Sequence, residues 1–494
     1  MGEATIMSTA TGGGGATVVV PVVVLPLVAI LVMTYLFLKR STTNVRKGDA
    51  NFPPGYSGWP LVGEFFEFMK PFPSYTPGTY MTKRIQKFGK IFTTNLLGKK
   101  MIVSADAELT RLMLTNEMKT FETEWPEHYK KLMGESSILI LNGEEHRLLR
   151  NSVLNFFSFA RLESHFLKDA NEIATGIMSS WREGKVISAL GASETYTLDF
   201  ALKNVMGMRP GEPEVEQFRH DYHEFREGLL FALPINFPGT LYNKSLKARG
   251  KVQKVIRRIY DERRKIEGCR GPRGDDYIGW TMSGTNLTRD MICDLMQGAL
   301  FASEETTSRA ISLIMFFLEG SPKALEHLRE EHLKVRMPRD KDGWSMLSWE
   351  GYKQLQFTQC VTNESLRLGN ITRFLVKKAL ADVTFKGYLI TKGTPVVASF
   401  ASAHFDPSLF KDPESFDPWR WQTSSGILKT NNFFPFSGGP RLCPGAELAR
   451  VEIAVFLHHL LLNFDYKLAD DDKPTAFPVI NFPKGYPIKV TPRE

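Results

Sequence analysis

Cys443 lies in the stretch Phe436-Ser-Gly-Gly-Pro-Arg-Leu-Cys-Pro-Gly445, directly ahead of an apolar helical pattern from Ala446 to Leu462. The stretch reads F-x-x-G-x-R-x-C-x-G. Pro444 suits a first helical position, where its missing N–H costs nothing. A thiolate at a helix N-terminus is favoured by the unpaired N–H groups and the positive end of the helix dipole. Gly438 and Gly439 would let the backbone approach something large and flat. Together these residues describe a haem-thiolate ligand loop, with Cys443 as axial ligand and the helix running away beneath the porphyrin. A buried structural cysteine in a Gly/Pro loop is the simpler alternative. Five fixed positions within ten residues weigh against it.

A fold that encloses a macrocycle needs a large core. The chain has 494 residues, 43% of them apolar and 23% charged, against ~100–200 residues for a typical domain. Cys269, Cys293, Cys360 and Cys443 are widely spaced with no C-x-x-C. That spacing argues against a zinc site or a disulfide framework and for a reducing compartment. The net charge of +8 is not concentrated in blocks, so no nucleic-acid partner is expected. A basic surface suits anionic lipid or an acidic electron donor.

The N-terminus divides by composition. Residues 1–16 form a short tail. Residues 17–38 are uncharged and overwhelmingly apolar, long enough at about 1.5 Å per residue to span a ~30 Å hydrocarbon core. Pro21 and Pro26 are tolerable in a membrane helix. Lys39, Arg40, Arg46 and Lys47 follow, whereas only Glu3 is charged before it. The positive-inside rule then places the tail in the lumen and the rest in the cytosol. Residues 39–55 read as a basic linker ending in the stiff turn Phe52-Pro-Pro-Gly55, and residues 56–494 as the catalytic domain.

Beyond residue 55 the pattern is mostly helical. Strand-like runs occur at Ile91–Leu97, Met101–Ser104, Val383–Leu389 and Pro395–Ala398. The longest helix is expected from Thr288, a capping residue, to Gly320-Ser-Pro322, about 48 Å at 1.5 Å per residue. At its middle is Phe301-Ala-Ser-Glu-Glu-Thr-Thr307, an unusual polar centre for a helix that crosses a domain. Glu364-Ser-Leu-Arg367 places an acid and a base one turn apart on a helix expected to begin near Ser348. Asp417-Pro-Trp-Arg-Trp421 lies between it and the cysteine loop.

In their order and spacing these stretches resemble the cytochrome P450 superfamily over residues 52–494. The resemblance implies a mainly α fold with small peripheral β-sheets, joined to a single N-terminal transmembrane anchor in the endoplasmic reticulum membrane. It implies haem b on the Cys443 thiolate, with Phe436 and Gly439 beside it. It implies a monooxygenase fed with electrons from NADPH through the flavins of an NADPH-cytochrome P450 reductase. Ala302, Glu305, Thr306 and Thr307 match the family's oxygen-binding motif, A-G-x-[DE]-T-[TS], with Ser303 where glycine is usual. Thr306 would donate a hydrogen bond to oxygen and Glu305 would relay protons from water. Glu364, Arg367 and Arg420, the last within a P-x-R-[FW] segment made by Pro418, Arg420 and Trp421, would form a buried network that fixes the cysteine loop. His146 and Arg150, four residues apart on one helix face, together with Arg373 and Arg441, are candidates to hold the haem propionates.

Leu368-Gly-Asn-Ile-Thr-Arg-Phe374, the 417–421 segment and Gly439–Arg450 are similar to plant enzymes acting on sterols, brassinosteroids, triterpenoids and diterpenoids. The nearest resemblance is to sterol side-chain hydroxylases, including those acting at C-22, with Ser303, Glu304 and Ser437 as departures. Phe301, Ala302, Phe374, Leu375 and Ile480 are candidate pocket residues. The apolar stretch Leu229–Pro238 either dips into membrane lipid or forms a buried loop. Three alternatives stay open: a triterpenoid or diterpenoid hydroxylase, a haem-thiolate isomerase or dehydratase, and a membrane haem protein without oxygenase activity. The retained Glu305-Thr306 pair argues against the isomerase. Consumption of NADPH that depends on both reductase and sterol would exclude the last.

Overall fold

The computed structural model describes residues 32–34, 52–267, 275–285, 287–422, 432–476 and 479–493. The expected anchor at 17–38 falls outside these apart from the helical residues 32–34, and no helix among the described residues is long and apolar enough to cross a membrane.

Helices dominate. Those that frame the site are α1 (Ala107–Thr115), α2 (Gly143–Phe156), α3 (Ala189–Ala201), α4 (Pro213–Phe231), α5 (Leu241–Glu267), α6 (Arg289–Glu319), α7 (Pro322–Lys334), α8 (Gln356–Gly369) and α9 (Ala446–Asn463). The 31 residues of α6 run through the centre of the molecule for about 46 Å. Thr288 caps it, its hydroxyl accepting from Met291 N, and Gly320 ends it. Helices α3, α5, α8 and α9 pack around α6. Most of α9 is apolar and buried, which explains its near-continuous hydrophobic sequence.

A five-stranded sheet flanks the helices. It comprises β1 (Ile91–Leu96), β2 (Lys99–Ser104), β3 (Phe121–Thr123), β5 (Phe374–Ala379) and β8 (Pro395–Ser399), in the order β1-β2-β8-β5-β3. β2 and β8 pair in parallel, with Val103 opposite Val397; the other pairs are antiparallel. A smaller sheet joins β4 (Val186–Ser188), β9 (Phe464–Leu468) and β10 (Pro487–Pro492).

Three local expectations need correction. The run Val383–Leu389 is not one strand. It is a hairpin of β6 (Val383–Phe385) and β7 (Tyr388–Ile390), turned at Lys386-Gly387 with φ of 48° and 82°, the left-handed pair that a two-residue hairpin turn requires. The helix expected from Ser348 stops at Gln354 and restarts as α8 at Gln356. The segment Leu229–Pro238 is not a buried loop throughout: Leu229 and Leu230 are buried in the last turn of α4, but from its final residue onward Phe231, Leu233, Ile235 and Phe237 are 50–67% exposed.

Candidate active site

The cysteine loop is closed by a hydrogen bond from Cys443 N to Phe436 O (2.9 Å). Its tightest constraint comes from α1. At Gly439 (φ 60°) an added Cβ would lie 2.1 Å from Leu114 O. This glycine therefore admits the neighbouring end of α1. Phe436 carries the Arg450 guanidinium 5.0 Å above its ring. Helix α9 begins at Ala446 with Gly445 as its cap, so Pro444 precedes the cap and does not hold the first helical position. Burial pushes the Cys443 thiol above its usual range, while the Gly445 N–H and the positive Arg150 pull it down. The second pair of influences is what a thiolate ligand needs.

The Glu364 carboxylate gathers the 417–421 segment onto α8. It accepts from Arg367 Nε (2.9 Å) and Nη2 (2.8 Å), Arg420 Nε (3.0 Å), Trp421 Nε1 (2.9 Å) and Asp417 N (3.0 Å). The structure thus brings Glu364, Arg367 and Arg420 together in the interior. Arg367 reaches further, donating to the carbonyls of His404, Pro413 and Ser415. His404 was missed in the sequence. Its Nε2 accepts from Phe434 N (2.9 Å) and its Nδ1 meets Asn370 Oδ1 (2.6 Å), so it ties the end of α8 to the segment just before the loop. Burial, then Arg367 and Arg373, pushes its pKa down to about 3.

The four candidate propionate partners differ in what they already hold. Arg373 is buried without a carboxylate: Nη1 donates to Ser74 O (2.7 Å), Nη2 to Thr76 O (2.6 Å), and Nε has no partner among the described residues. Burial lowers its pKa to about 9. A buried guanidinium in that state is stabilised by an incoming anion, which fits a haem propionate. Arg150, on α2, forms no ion pair among the described residues and lies close enough to act on Cys443 and Arg441. His146, one turn earlier, is buried. Burial, then Arg441 and Arg150, brings its pKa to about 4, so its ring is neutral. Arg441 is already engaged by Glu117 Oε1 (3.0 Å), Leu141 O (2.5 Å) and Asn142 Oδ1 (2.5 Å). Glu117 also pairs with the fully buried Lys377; neither residue carries a signal in the sequence.

On α6, Ala302 and Thr306 are exposed while Glu304, Glu305 and Thr307 are buried. The Thr306 hydroxyl donates to Ala302 O (2.8 Å), the bond expected of a helical threonine. Glu305 Oε1 lies 2.9 Å from Arg309 Nε, yet that N–H donates to Ile480 O, and neither Glu305 oxygen accepts a hydrogen bond. Burial pushes the Glu305 pKa up to about 8 against the pull of Arg309. Glu304 meets Arg226 of α4, a partnership invisible in the sequence. Phe301, Phe374 and Leu375 are half-buried. Ile480 is 1% exposed: its side chain is core, and its carbonyl is what meets Arg309.

The chain is 44% identical to a cholesterol 22-monohydroxylase, CYP90B52, of Paris polyphylla, over 93% of this chain and 97% of the relative. It is 43% identical to a cholesterol 16,22-dihydroxylase, CYP90G4, of Trigonella foenum-graecum (94% and 97%), and 42% identical to a steroid (22S)-hydroxylase of Oryza sativa subsp. indica (92% and 90%). Among solved structures it resembles the retinoic acid-bound cyanobacterial CYP120A1, with a TM-score of 0.80 and 28% identity over 90% of this chain and all of that one. The cytochrome P450 family profile matches residues 53–490: the chain belongs to the cytochrome P450 family and is a haem-thiolate monooxygenase.

Proposed function

We propose that this enzyme hydroxylates a sterol side chain at C-22, in plant brassinosteroid or related steroid biosynthesis, using electrons from NADPH passed through a flavoprotein reductase. The observation that carries the substrate class is near full-length similarity to relatives whose names all specify hydroxylation of a steroid or cholesterol at position 22. Haem b, held on the Cys443 thiolate, would supply the dioxygen-activating chemistry, which an electron-donating thiolate ligand favours. Arg373 and Arg150 would hold the propionates, with the neutral His146 ring as a further donor. Arg441, anchored on Glu117, would act by fastening the loop to the Leu141-Asn142 segment. Thr306 offers its hydroxyl on the exposed face of α6. Glu305, whose proton is retained near neutrality, is a source from which it can be resupplied.

The cytosolic face of the endoplasmic reticulum membrane is the proposed location. It is supported by the apolar 17–38 segment with its basic flank, and by Phe231, Leu233, Ile235 and Phe237, an exposed apolar run suited to lipid. Burying one such side chain contributes about 1.5–3 kcal/mol, and a lipophilic substrate can enter from the same phase.

The test is co-expression with a plant reductase in yeast that makes cholesterol, followed by mass spectrometry. The expected product carries one added oxygen, and substrate deuterated at C-22 loses one deuterium. Full retention of the C-22 deuterium in the hydroxylated sterol, or oxygenation of triterpenoids alone, would overturn the assignment.

A further inference from the structure

A groove of about 480 Å³ opens between α3 and α4, with Glu194, Leu198, Arg219, His223 and Arg226 on its walls and Glu304 of α6 within it. Glu304 is buried, its side chain 2% exposed. One of its oxygens meets Arg226; Oε2 has no partner among the described residues. Arg226 also reaches Glu194 (2.9 Å) and His223 Nδ1 (3.1 Å), and lies 3.8 Å from Glu305 Oε2. Arg309 lies 2.9 Å from Glu305 Oε1 and 3.2 Å from Glu194 Oε1. Three carboxylates, Glu304 and Glu305 buried and Glu194 at the rim with its side chain 25% exposed, therefore share two guanidiniums. Ionising all three would leave one negative charge in excess beside two buried carboxylates, which is costly; a single proton held in common by the buried pair removes it.

The other groups facing the cluster do not supply the missing charge. The Tyr222 hydroxyl has no partner among the described residues, Ser308 is neutral, and Arg219 is paired with Asp199 and Glu216. His220 and His223 stand at the exposed rim. Burial raises the pKa of Glu304 as well as that of Glu305. Splitting dioxygen into an alcohol oxygen and a water takes two protons per turnover, together with the two electrons from the reductase, so a supply from solvent is required.

We propose that Glu304 is a proton-holding residue acting through Glu305, and that the α3–α4 groove is the inlet by which protons pass from His223 and Glu194 at the rim to that pair. The inference rests on the Glu305–Thr306 reading above.

The test uses the haem-loaded full chain. Infrared titration between pH 6 and 9 should show, beside the band of the buried Glu452 carboxyl, a second protonated carboxyl band near neutrality that Glu304→Gln abolishes, since two carboxylates then balance two guanidiniums. With reductase and sterol, Glu304→Gln should lower the share of NADPH electrons recovered in product by about 10-fold, below the 10²–10⁴ of a group in direct contact. Haem content and sterol-induced spectral shift should not change, and Glu304→Asp should restore most of the coupling and the wild-type pH profile. If Glu304→Gln fails to bind haem, Glu194→Gln at the rim decides by the same charge count: loss of the band supports the inlet, and an unchanged band overturns it. Thr306→Ala is the reference. If it uncouples while Glu304→Gln keeps both band and coupling, the inlet is wrong and the Glu305–Thr306 reading stands. If Thr306→Ala is itself fully coupled, both fall.

Discussion

Replacing Glu364 isolates the network that leads into the ligand loop. Its two oxygens accept five hydrogen bonds, three from guanidiniums, one from the Trp421 indole and one from Asp417 N. Glu364→Ala strands two arginines and two neutral donors. Breaking a buried ion pair costs about 3–5 kcal/mol, and each orphaned neutral donor about 1–3. Carbonyls already around Arg367 and Arg420 offset part of this, so a loss of about 4–6 kcal/mol is expected, a large share of the ~5–15 that holds a domain together. Glu364→Gln keeps the shape and the indole bond but loses the charge, and should lose about 3 kcal/mol, as in breaking a buried pair. The exposed pair Lys353–Glu350 is the control: Glu350→Gln should stay within about 0.5 kcal/mol. Urea unfolding of purified protein reports stability, and the Soret band of the reduced CO complex reports thiolate-ligated haem. A Glu364→Ala protein with full haem content and a stability loss below about 1 kcal/mol would falsify the view that this carboxylate secures the loop.

Cys443→Ser should abolish the thiolate Soret band, whereas Cys293→Ser and Cys360→Ser, whose buried thiols have pKa values pushed up to about 11, should keep it; an unchanged spectrum in Cys443→Ser would remove the ligand assignment. Thr306→Ala should retain haem, sterol binding and reduction while product formation falls by about 10²–10⁴, with peroxide appearing in its place; the Ser303→Gly, Thr306→Ala double variant shows whether the Ser303 hydroxyl substitutes. Stability should fall steeply in mild acid. His404 and His459 have pKa values pushed down to about 3 and His458 to about 4, chiefly by burial, so the unfolded chain binds their protons first; the neutral forms contribute fully above ~6.5 and the contribution is lost as pH falls from there towards 3–4. Each loses about 1.4 kcal/mol per pH unit, or ~4 for these three together at pH 5.5, and His404→Gln should flatten the fall in urea midpoint between pH 7.5 and 5 by the share of one such histidine.

What the sequence made legible was what neighbouring residues decide. Thr288 and Gly320 bound α6 because capping is local. Glu364 and Arg367 meet because i and i+3 share a helix face, and Arg420 joins them only because the P-x-R-W segment has a fixed place in the order of motifs. Failures begin where a partner is remote. Gly439 is required by Leu114 O, more than three hundred residues earlier in the chain, so the sequence shows that a glycine is needed but not what presses on it. Arg441 carries no mark that Glu117 occupies it. Glu304 reads as one more acid on a polar helix centre, since Arg226 and Glu194 arrive from other helices; its burial turns a solvated-looking pair of acids into a site one positive charge short. Two misses were local and avoidable. Lys386-Gly387 is a hairpin turn inside an apolar run that reads as one strand, and Pro444 stands two residues ahead of a helix whose cap is the following Gly445. Motif order marks the loop proposed to hold the cofactor, and charge pairing between distant helices underlies the proposed proton supply; only the first is written in adjacent residues.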